Sequence, residues 1–199
     1  TDSGFDFTHP DKGATWTNPN EIPGNGLDDD NNGKIDDVQG WDFVNGDNNP
    51  TDDFGHGTHV TGIINAAINN GTGIAGVAPA STAMVLKVLD ASNQGPLSAV
   101  EEAVNYAAVK GADVINMSLS TGSLPIPTLL SLRAAVDLAH DVYGVVVVAA
   151  AGNDNRIDVG TEAFGVFPAA LNDVITVAAN FNAIWKTMEV TNFSNIGAK

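Results

Sequence analysis

The chain contains no cysteine, and its basic residues are few. The first absence excludes a disulfide framework, a thiolate metal site and a cysteine nucleophile. Only eight Lys and Arg residues stand against 24 Asp and Glu residues, which gives a formal net charge of −16. A surface of that sign repels the phosphates of nucleic acids and of anionic membranes, but it tolerates bound cations. We therefore expect no nucleic acid and no membrane among the partners.

Long apolar runs are absent as well. The longest, residues 145–151, has the length of a buried strand, whereas a membrane-spanning helix needs roughly 20 apolar residues. The chain opens on Thr1-Asp2-Ser3-Gly4, with neither the basic start nor the apolar segment of a signal peptide. Because this opening falls within a motif described below, we expect the true N-terminus to lie upstream.

The chain is long enough for one α/β domain, and its hydrophobic content of 43% is typical of a globular protein. Residues 1–55 are rich in Asp, Asn, Gly and Pro and indicate loops, whereas apolar runs alternate with helical patterns over residues 56–199. Ser98 is the expected N-cap of one helix, with Glu101 completing a capping box. We expect helices at residues 59–69, 98–110 and 127–143, and strands at residues 84–89, 113–119, 145–151 and 174–179.

This alternation predicts right-handed βαβ crossovers and therefore a three-layer α/β domain, with a mostly parallel central sheet and helices on both faces. We expect residues 1–199 to form one such domain, and to form it incompletely. Four consecutive valines at residues 145–148 favour a strand that is buried on both sides. Sites in such sheets form from loops at the carboxyl ends of the strands. The places of interest are therefore the loop after Leu89, the segment from Ser118 to Ser120, and the Gly152-Asn153 turn.

The segment His56-Gly57-Thr58-His59 carries the strongest chemical signal. A histidine at the start of a helix, after a glycine-rich loop, can present its imidazole as a general base near neutral pH. By themselves, two histidines three positions apart could equally form a metal site or a packed structural pair, although a zinc site lacks a third ligand nearby. Asp2, in Asp2-Ser3-Gly4, offers a carboxylate that could hold the imidazole tautomer, but this tripeptide alone is more often a turn.

A third candidate is Asn153, which closes the most hydrophobic strand of the chain in Ala151-Gly152-Asn153. Its side-chain amide could donate a hydrogen bond to an oxyanion that develops during acyl transfer. An asparagine in the turn after a strand is also common without any catalytic role.

Taken together, these segments resemble the subtilisin-like, or subtilase, family, in which Asp, His and Ser follow one another along the chain. The similarity extends over nearly the whole sequence. The motifs that carry it are Thr1-Asp2-Ser3-Gly4-Phe5-Asp6 with His9-Pro10-Asp11, the segment from His56 to Gly62, Gly76-Val77-Ala78-Pro79, the strand from Val114 to Ser120, Gly152-Asn153, Phe167-Pro168-Ala169, Val174-Ile175-Thr176-Val177, and Asn192-Phe193-Ser194-Asn195-Ile196-Gly197.

The resemblance implies a serine endopeptidase that works by acyl transfer. His56, oriented by Asp2, would remove the proton from a serine hydroxyl, and Asn153 would stabilise the tetrahedral oxyanion. His59 would be a structural neighbour. An extended peptide substrate would add a strand between two segments, a binding mode that reads side chains only loosely and predicts broad specificity. These two segments are Asn93-Gln94-Gly95 and Ser118-Leu119-Ser120.

The serine itself is missing. The nucleophile of the family lies in a Gly-Thr-Ser-Met-Ala-type segment, and no Gly-Thr-Ser occurs in the 199 residues. Either the sequence is a fragment that stops at Lys199 before that segment, or the chain is a natural pseudoenzyme that keeps a peptide-binding groove. Because Asp2, His56 and Asn153 are all intact, we expect a fragment, which by itself should not hydrolyse peptides.

Residues 28–37 place oxygen-bearing side chains on alternate positions before a glycine, as in the first part of an EF-hand calcium loop. Carboxylates crowded in this way repel one another unless a cation neutralises them. The terminal bidentate Glu of that loop is absent, because Gln39 stands at position twelve, and a solvated acidic loop is the alternative. The expected ligands are Asp28, Asp30, Asn32, the Lys34 carbonyl, Asp36 and Asp37.

A second calcium site follows only from the resemblance. It would combine the side chains of Asp11 and Asn70 with the carbonyls of Ile68, Thr72 and Ile74. With calcium as a structural ion, the resemblance implies polypeptide substrates, a pro-segment as a further partner, a monomeric state and an extracellular or cell-envelope location. A calcium-binding adhesion-type module, in which His56 has no role, is the alternative from another functional class.

Overall fold

The structure, a computed structural model, describes residues 1–121, 126–155, 166–181, 189–190 and 194–195. The chain divides into two compact units, Thr1–Ala103 and Val104–Lys199. The helices are α1 (His56–Asn65), α2 (Leu97–Val109) and α3 (Ile126–Asp137), and α3 continues into a π-helical turn (Leu138–Val142). The strands are β1 (Ala14–Thr15), β2 (Gly40–Asp42), β3 (Thr82–Ala83), β4 (Val85–Lys87), β5 (Val114–Met117), β6 (Val146–Ala150), β7 (Val174–Val177), β8 (Asn180–Phe181) and β9 (Glu189–Val190).

The strands of the first unit pair in parallel, β1 with β3 and β2 with β4. The segment around Asp2 adds to this arrangement, because Asp2 forms a parallel bridge with Lys87 at the end of β4. The Asp2 amide donates to the Leu86 carbonyl at 3.1 Å, and the Asp2 carbonyl accepts from the Val88 amide at 2.8 Å. Since every residue of β4 is buried, this strand gives the backbone of Asp2 a fixed position.

The helix α1 begins at His56, three residues before the expected start, and ends at Asn65 rather than at residue 69. Gly55 precedes it with a φ of 102°, a left-handed conformation that side chains other than hydrogen rarely permit. Gly57 is buried in the first turn, and a Cβ atom there would collide with the carbonyl oxygen of Gly4. The two glycines therefore allow the start of α1 to approach the backbone next to Asp2.

In the second unit, β5, β6 and β7 form a parallel sheet in that order, which confirms the predicted parallel pairing. The predicted burial of the valine run on both sides is wrong. Val145 and Val147 are 1% and 0% exposed, but Val146 is 40% exposed. Successive side chains of a strand point to opposite faces, and the described residues cover only one face of this sheet well.

Two helix predictions also need correction. The helix α2 starts at Leu97, so Ser98 lies inside its first turn and is not the N-cap of a capping box with Glu101. The Pro96 carbonyl already accepts a hydrogen bond from the Ala99 amide at 3.1 Å, so the turn begins one residue earlier. The helix predicted at residues 127–143 is α3 followed by the π-helical turn. Within the described ranges, no helix combines the length and apolarity needed to cross a membrane.

Candidate active site and cation-binding loops

Asp2 and His56 lie 54 positions apart in the sequence and form a direct pair in the first unit. Asp2 Oδ1 lies 2.6 Å from His56 Nδ1. The carboxylate is buried, whereas the side chain of His56 is 36% exposed and so remains accessible. The Ser3 amide donates a second hydrogen bond to Asp2 Oδ1 at 2.8 Å. A carboxylate at Nδ1 fixes the imidazole tautomer that leaves Nε2 free to accept a proton.

A second carboxylate, Asp52, bonds to residues on both sides of this pair, and the sequence analysis did not single it out. It accepts hydrogen bonds from the hydroxyls of Ser3 (2.8 Å) and Thr58 (2.6 Å) and from the amides of Gly55 and Thr58 (both 2.8 Å). Burial by itself would raise the pKa of Asp52. The hydrogen bonds outweigh that effect and lower the pKa to about 2, so Asp52 is ionised at neutral pH.

Asn153 lies in the second unit, exposed, in the turn that follows β6. Asn195 holds this turn through three hydrogen bonds. It donates from its side chain to the Ala151 carbonyl (2.9 Å) and from its backbone to the Gly152 carbonyl (3.0 Å), and its side-chain oxygen accepts from the Asp154 amide (3.1 Å). Asn195 is fully buried, so the turn is fixed while the side chain of Asn153 stays in contact with solvent.

The two predicted substrate-binding segments belong to different units and are described separately. In the first unit, Asp90 and Gln94 close a tight turn, with the Asp90 amide donating to the Gln94 carbonyl at 2.7 Å. Asn93 adopts a φ of 58° within it, and Gln94 and Gly95 are exposed. In the second unit, the segment from Ser118 to Ser120 follows β5 and is at least partly exposed. All six residues are thus at least partly exposed, and their role in substrate binding stays a prediction.

The structure places Asp11 in contact with Asn70 and Ile74, two of the residues that the resemblance assigns to a calcium site. Asp11 is buried, its Oδ1 accepts from the Asn70 side chain at 2.7 Å, and its Oδ2 accepts from the Ile74 amide at 2.8 Å. The hydrogen bond from Asn70, followed by the one from Ile74, lowers the pKa of Asp11. The Asn70 side-chain oxygen in turn accepts from the Thr72 amide at 3.0 Å. Ile68 lies in the same loop and is 48% exposed.

The acidic loop brings two of the predicted ligands, Asp28 and Asp30, together with a carboxylate that the spacing does not predict. Glu21, Asp28 and Asp30 each place one carboxylate oxygen within 4.8 Å of the other two. Glu21 is buried, and its Oε1 accepts from the amides of Asp29 (2.9 Å) and Asp30 (3.2 Å). Its Oε2 is also buried and accepts no hydrogen bond from the described residues. Glu21 lies outside the alternating pattern, seven positions before Asp28, and only the folded chain reveals it.

The remaining predicted ligands of this loop have other contacts. The carboxylate of Asp36 accepts from the amides of Asn25 (3.2 Å) and Gly26 (2.9 Å). Asp37 is fully buried, and it accepts from the side chains of Asn18 and Asn32, each at 2.7 Å. The Lys34 ammonium lies 5.2 Å from the ring centre of Trp41 and 5.0 Å from that of Phe43, which anchors the loop next to β2. Their roles as metal ligands stay predictions.

Comparison with known proteins relates this architecture to one family. The family model described as the subtilase family matches residues 1–199. The thermophilic serine proteinase of Bacillus sp. (strain AK1) is 38% identical over 196 residues, which cover 98% of this chain and 40% of that protein. Thermitase of Thermoactinomyces vulgaris is 43% identical over 147 residues, which cover 74% of this chain and 48% of that protein.

Solved structures agree with this relation. The crystal structure of a lanthipeptide protease covers 98% of this chain and 50% of its own, with a TM-score of 0.72 and 27% identity. The S41 psychrophilic protease covers 77% of this chain and 48% of its own, with a TM-score of 0.66 and 36% identity. The chain thus spans half or less of each of these four proteins. Since the family model matches the chain from its first to its last residue, the chain belongs to the subtilase family and has its subtilisin-like α/β fold.

Proposed function

We propose that the protein carrying this chain is a serine endopeptidase that hydrolyses peptide bonds by acyl transfer. The observation that carries the proposal is the 2.6 Å contact between Asp2 Oδ1 and His56 Nδ1. In this pair the carboxylate holds the proton on Nδ1, so Nε2 can take the proton of a serine hydroxyl. The same carboxylate then stabilises the imidazolium that results from the transfer.

The serine must come from a part of the protein outside these 199 residues, which contain no Gly-Thr-Ser segment. Its oxygen would form a bond to the carbonyl carbon of the substrate, and His56 would return the proton to the departing amine. Water would then release the acyl group and restore the serine. The amide of Asn153, exposed on a turn that Asn195 fixes, would donate to the oxyanion.

Substrate binding would use the two segments at residues 93–95 and 118–120. The residues of each segment are exposed or half-exposed and lie outside the strands that the described residues form. Main-chain pairing with an extended polypeptide depends little on its side chains, so broad specificity follows. Nothing in the structure or the comparisons favours the inactive peptide-binding alternative.

We further propose that calcium stabilises the first unit. Calcium is bound in proteins by carboxylate, amide and carbonyl oxygens, and the donors of both loops are of these kinds. The buried Oε2 of Glu21 fits this interpretation, because a buried carboxylate oxygen without a hydrogen bond is costly unless a cation is bound to it. Glu21, Asp28 and Asp30 would hold one ion, and Asp11 with the loop around Asn70 would hold another. The ions would stabilise the fold by neutralising the negative charge of these carboxylates.

Calcium sites of this kind support an extracellular or cell-envelope location, where calcium is abundant, and we propose that location together with a monomeric state. A pro-segment that occupies the substrate segments before activation is part of the same proposal. The location, the monomeric state and the pro-segment are properties of the whole protein, and we propose them because the chain belongs to the subtilase family.

The test is covalent labelling of the full-length protein with a fluorophosphonate, which reacts with an activated serine. His56→Ala should lower the labelling rate at least about 100-fold, because the general base is lost. His59→Ala is the matched control, since His59 is exposed and lies one turn further along α1, and it should label like the unaltered protein. Labelling that persists unchanged in His56→Ala would refute the assignment of His56 as the base.

A further inference from the structure

The two members of the Asp2–His56 pair come from separate parts of the chain, so something must fix their distance. Asp2 lies on a segment that pairs with β4, and His56 is the first residue of α1. The two residues are 54 positions apart, so the local backbone does not fix the distance between them. In enzymes, a misplacement of about 1 Å can lower the rate about 100-fold. The residues that connect the two segments therefore matter for the reaction.

The carboxylate of Asp52 makes this connection. Its Oδ1 accepts from the hydroxyl of Ser3, the neighbour of Asp2, and from the amide of Gly55, which precedes His56. Its Oδ2 accepts from the amide and the hydroxyl of Thr58, two residues after His56. One ionised group is thus bonded to the chain on both sides of the pair, and hydrogen bonds to an ionised acceptor are the stronger kind.

Ser3 closes the connection into a ring. Its hydroxyl donates to Asp52, and the same oxygen accepts from the Gly57 amide at 2.9 Å. Its own amide donates to Asp2 Oδ1. Ser3 is fully buried, so water does not compete for these bonds. The ring runs from Asp2 through Ser3 to Asp52, and from there through the first turn of α1 to His56.

We propose that Asp52 is a positioning residue, which holds Asp2 and His56 at bonding distance by clamping Ser3 to the start of α1. The clamp rests on the proposed function, since it serves the pair that would act as base and orienting acid. The competing interpretation is that Asp52 only caps the helix. That role would be natural, because Gly55 has no side chain to cap α1 and Asp52 satisfies the Thr58 amide instead.

The two interpretations differ in a spectroscopic signal. A proton on His56 Nδ1 that bonds to Asp2 at 2.6 Å should give a far-downfield proton NMR resonance that exchanges slowly with solvent. We would assign it in the full-length protein by its loss in His56→Ala. Ser3→Ala and Thr58→Val remove hydroxyl partners of Asp52 without changing any charge, and Asp52→Asn removes the charged acceptor. Asp47→Asn is the control, because it removes one negative charge from an exposed turn, where the Asp47 carboxylate accepts a hydrogen bond from the nearby Asn49 amide at 3.0 Å.

The clamp predicts that Ser3→Ala, Thr58→Val and Asp52→Asn each shift or broaden this resonance and lower kcat about 10- to 100-fold with little change in KM. The losses of Ser3→Ala and Asp52→Asn should combine less than additively in the double variant, because the two residues share the hydrogen bond between them. Asp47→Asn should leave both readouts unchanged. A lower melting temperature with an unaltered resonance and unaltered kcat would overturn the proposal in favour of a helix cap. If the unaltered protein showed no peptidase activity, the proposed function would fail, while the resonance would still decide about the clamp.

Discussion

Two regions of the first unit balance their negative charge in different ways. Around Asp2 and Asp52, amides, hydroxyls and one imidazole surround the carboxylates at 2.6–2.9 Å. In the acidic loop, Glu21, Asp28 and Asp30 approach one another within 4.8 Å, and one buried oxygen of Glu21 accepts no hydrogen bond from the described chain. In the first region, donors of the polypeptide bond to every carboxylate oxygen of the two residues except the buried Oδ2 of Asp2. In the second region the carboxylates gather together, and we propose that a cation neutralises them.

The Asp2–His56 pair and the acidic loop should therefore respond to different solution conditions. A network of donors inside the chain is formed by folding itself and does not depend on the concentration of a dissolved ion. A cluster of carboxylates is stabilised by a bound ion, and its contribution therefore varies with the concentration of that ion. Calcium should act on the stability of the fold, and the Asp2 network should act on the reaction.

The largest effect is expected for Asp2→Asn. An amide in place of the carboxylate keeps the shape of the side chain, but it favours the wrong imidazole tautomer and cannot stabilise the imidazolium. The corresponding change in serine proteases of another fold lowers kcat about 10⁴-fold. We expect a loss of that order in kcat of the full-length protein, measured with a peptide substrate. The melting temperature in calcium should change little, and a large loss of stability with normal kcat would break the comparison.

Removal of calcium should have an intermediate effect. A site saturated about 100-fold above its dissociation constant contributes about 2.7 kcal/mol, so a chelator should lower the melting temperature by about 5–10 °C. The downfield resonance of His56 should persist below the new melting temperature. Identical melting curves with and without chelator would show that the loop is a solvated acidic surface.

The ligand set of the loop can be resolved with the same measurement. Glu21→Gln should remove much of the calcium-dependent shift, because Glu21 offers its buried oxygen to the ion. Asp36→Asn should retain the shift, because that carboxylate is engaged by the Asn25 and Gly26 amides. The opposite result would favour the ligands predicted from sequence spacing.

The smallest effect concerns acid. The folded-state pKa of Asp52 is about 2, below the value of 3.8 for an unperturbed Asp. Asp52 therefore stabilises the fold above about pH 4, and this contribution is lost as the pH falls towards 2. Since the group is partly exposed, the effect should be about 1 kcal/mol. Between pH 5 and pH 2, the free energy of unfolding measured with denaturant should fall less in Asp52→Asn than in the unaltered protein. An equal fall in both proteins would contradict the lowered pKa of Asp52.

The sequence revealed the residues whose chemistry is local and missed those whose role depends on tertiary contacts. Asp2 and His56 stand in short motifs, so their pairing could be predicted and the structure places them in contact. Asp52 and Glu21 stand in no motif, and their importance arises from partners far along the chain. Parallel strands followed from the alternation of apolar runs and helices, and this was confirmed.

Boundaries and burial were less predictable for physical reasons. The position of Pro96 moved the start of α2 ahead of the expected cap, because its carbonyl already accepts the first hydrogen bond. The exposure of Val146 could not be predicted from the valine run, because a strand is buried on both sides only when other elements of the fold cover both faces of its sheet. The end of α1 at Asn65 could not be predicted either, because the Asn65 side chain donates hydrogen bonds to the carbonyls of Ala14 and Ser81, which lie elsewhere in the chain.

The missing Cβ of Gly57 has a consequence for how this site can change over generations. A Cβ atom there would collide with the carbonyl oxygen of Gly4. We expect the first turn of α1 to shift in response and to move the imidazole away from its carboxylate. We therefore expect substitutions at position 57 to be excluded for steric reasons, although the residue there takes no part in the chemistry. A library randomised at this codon should yield glycine in its functional survivors.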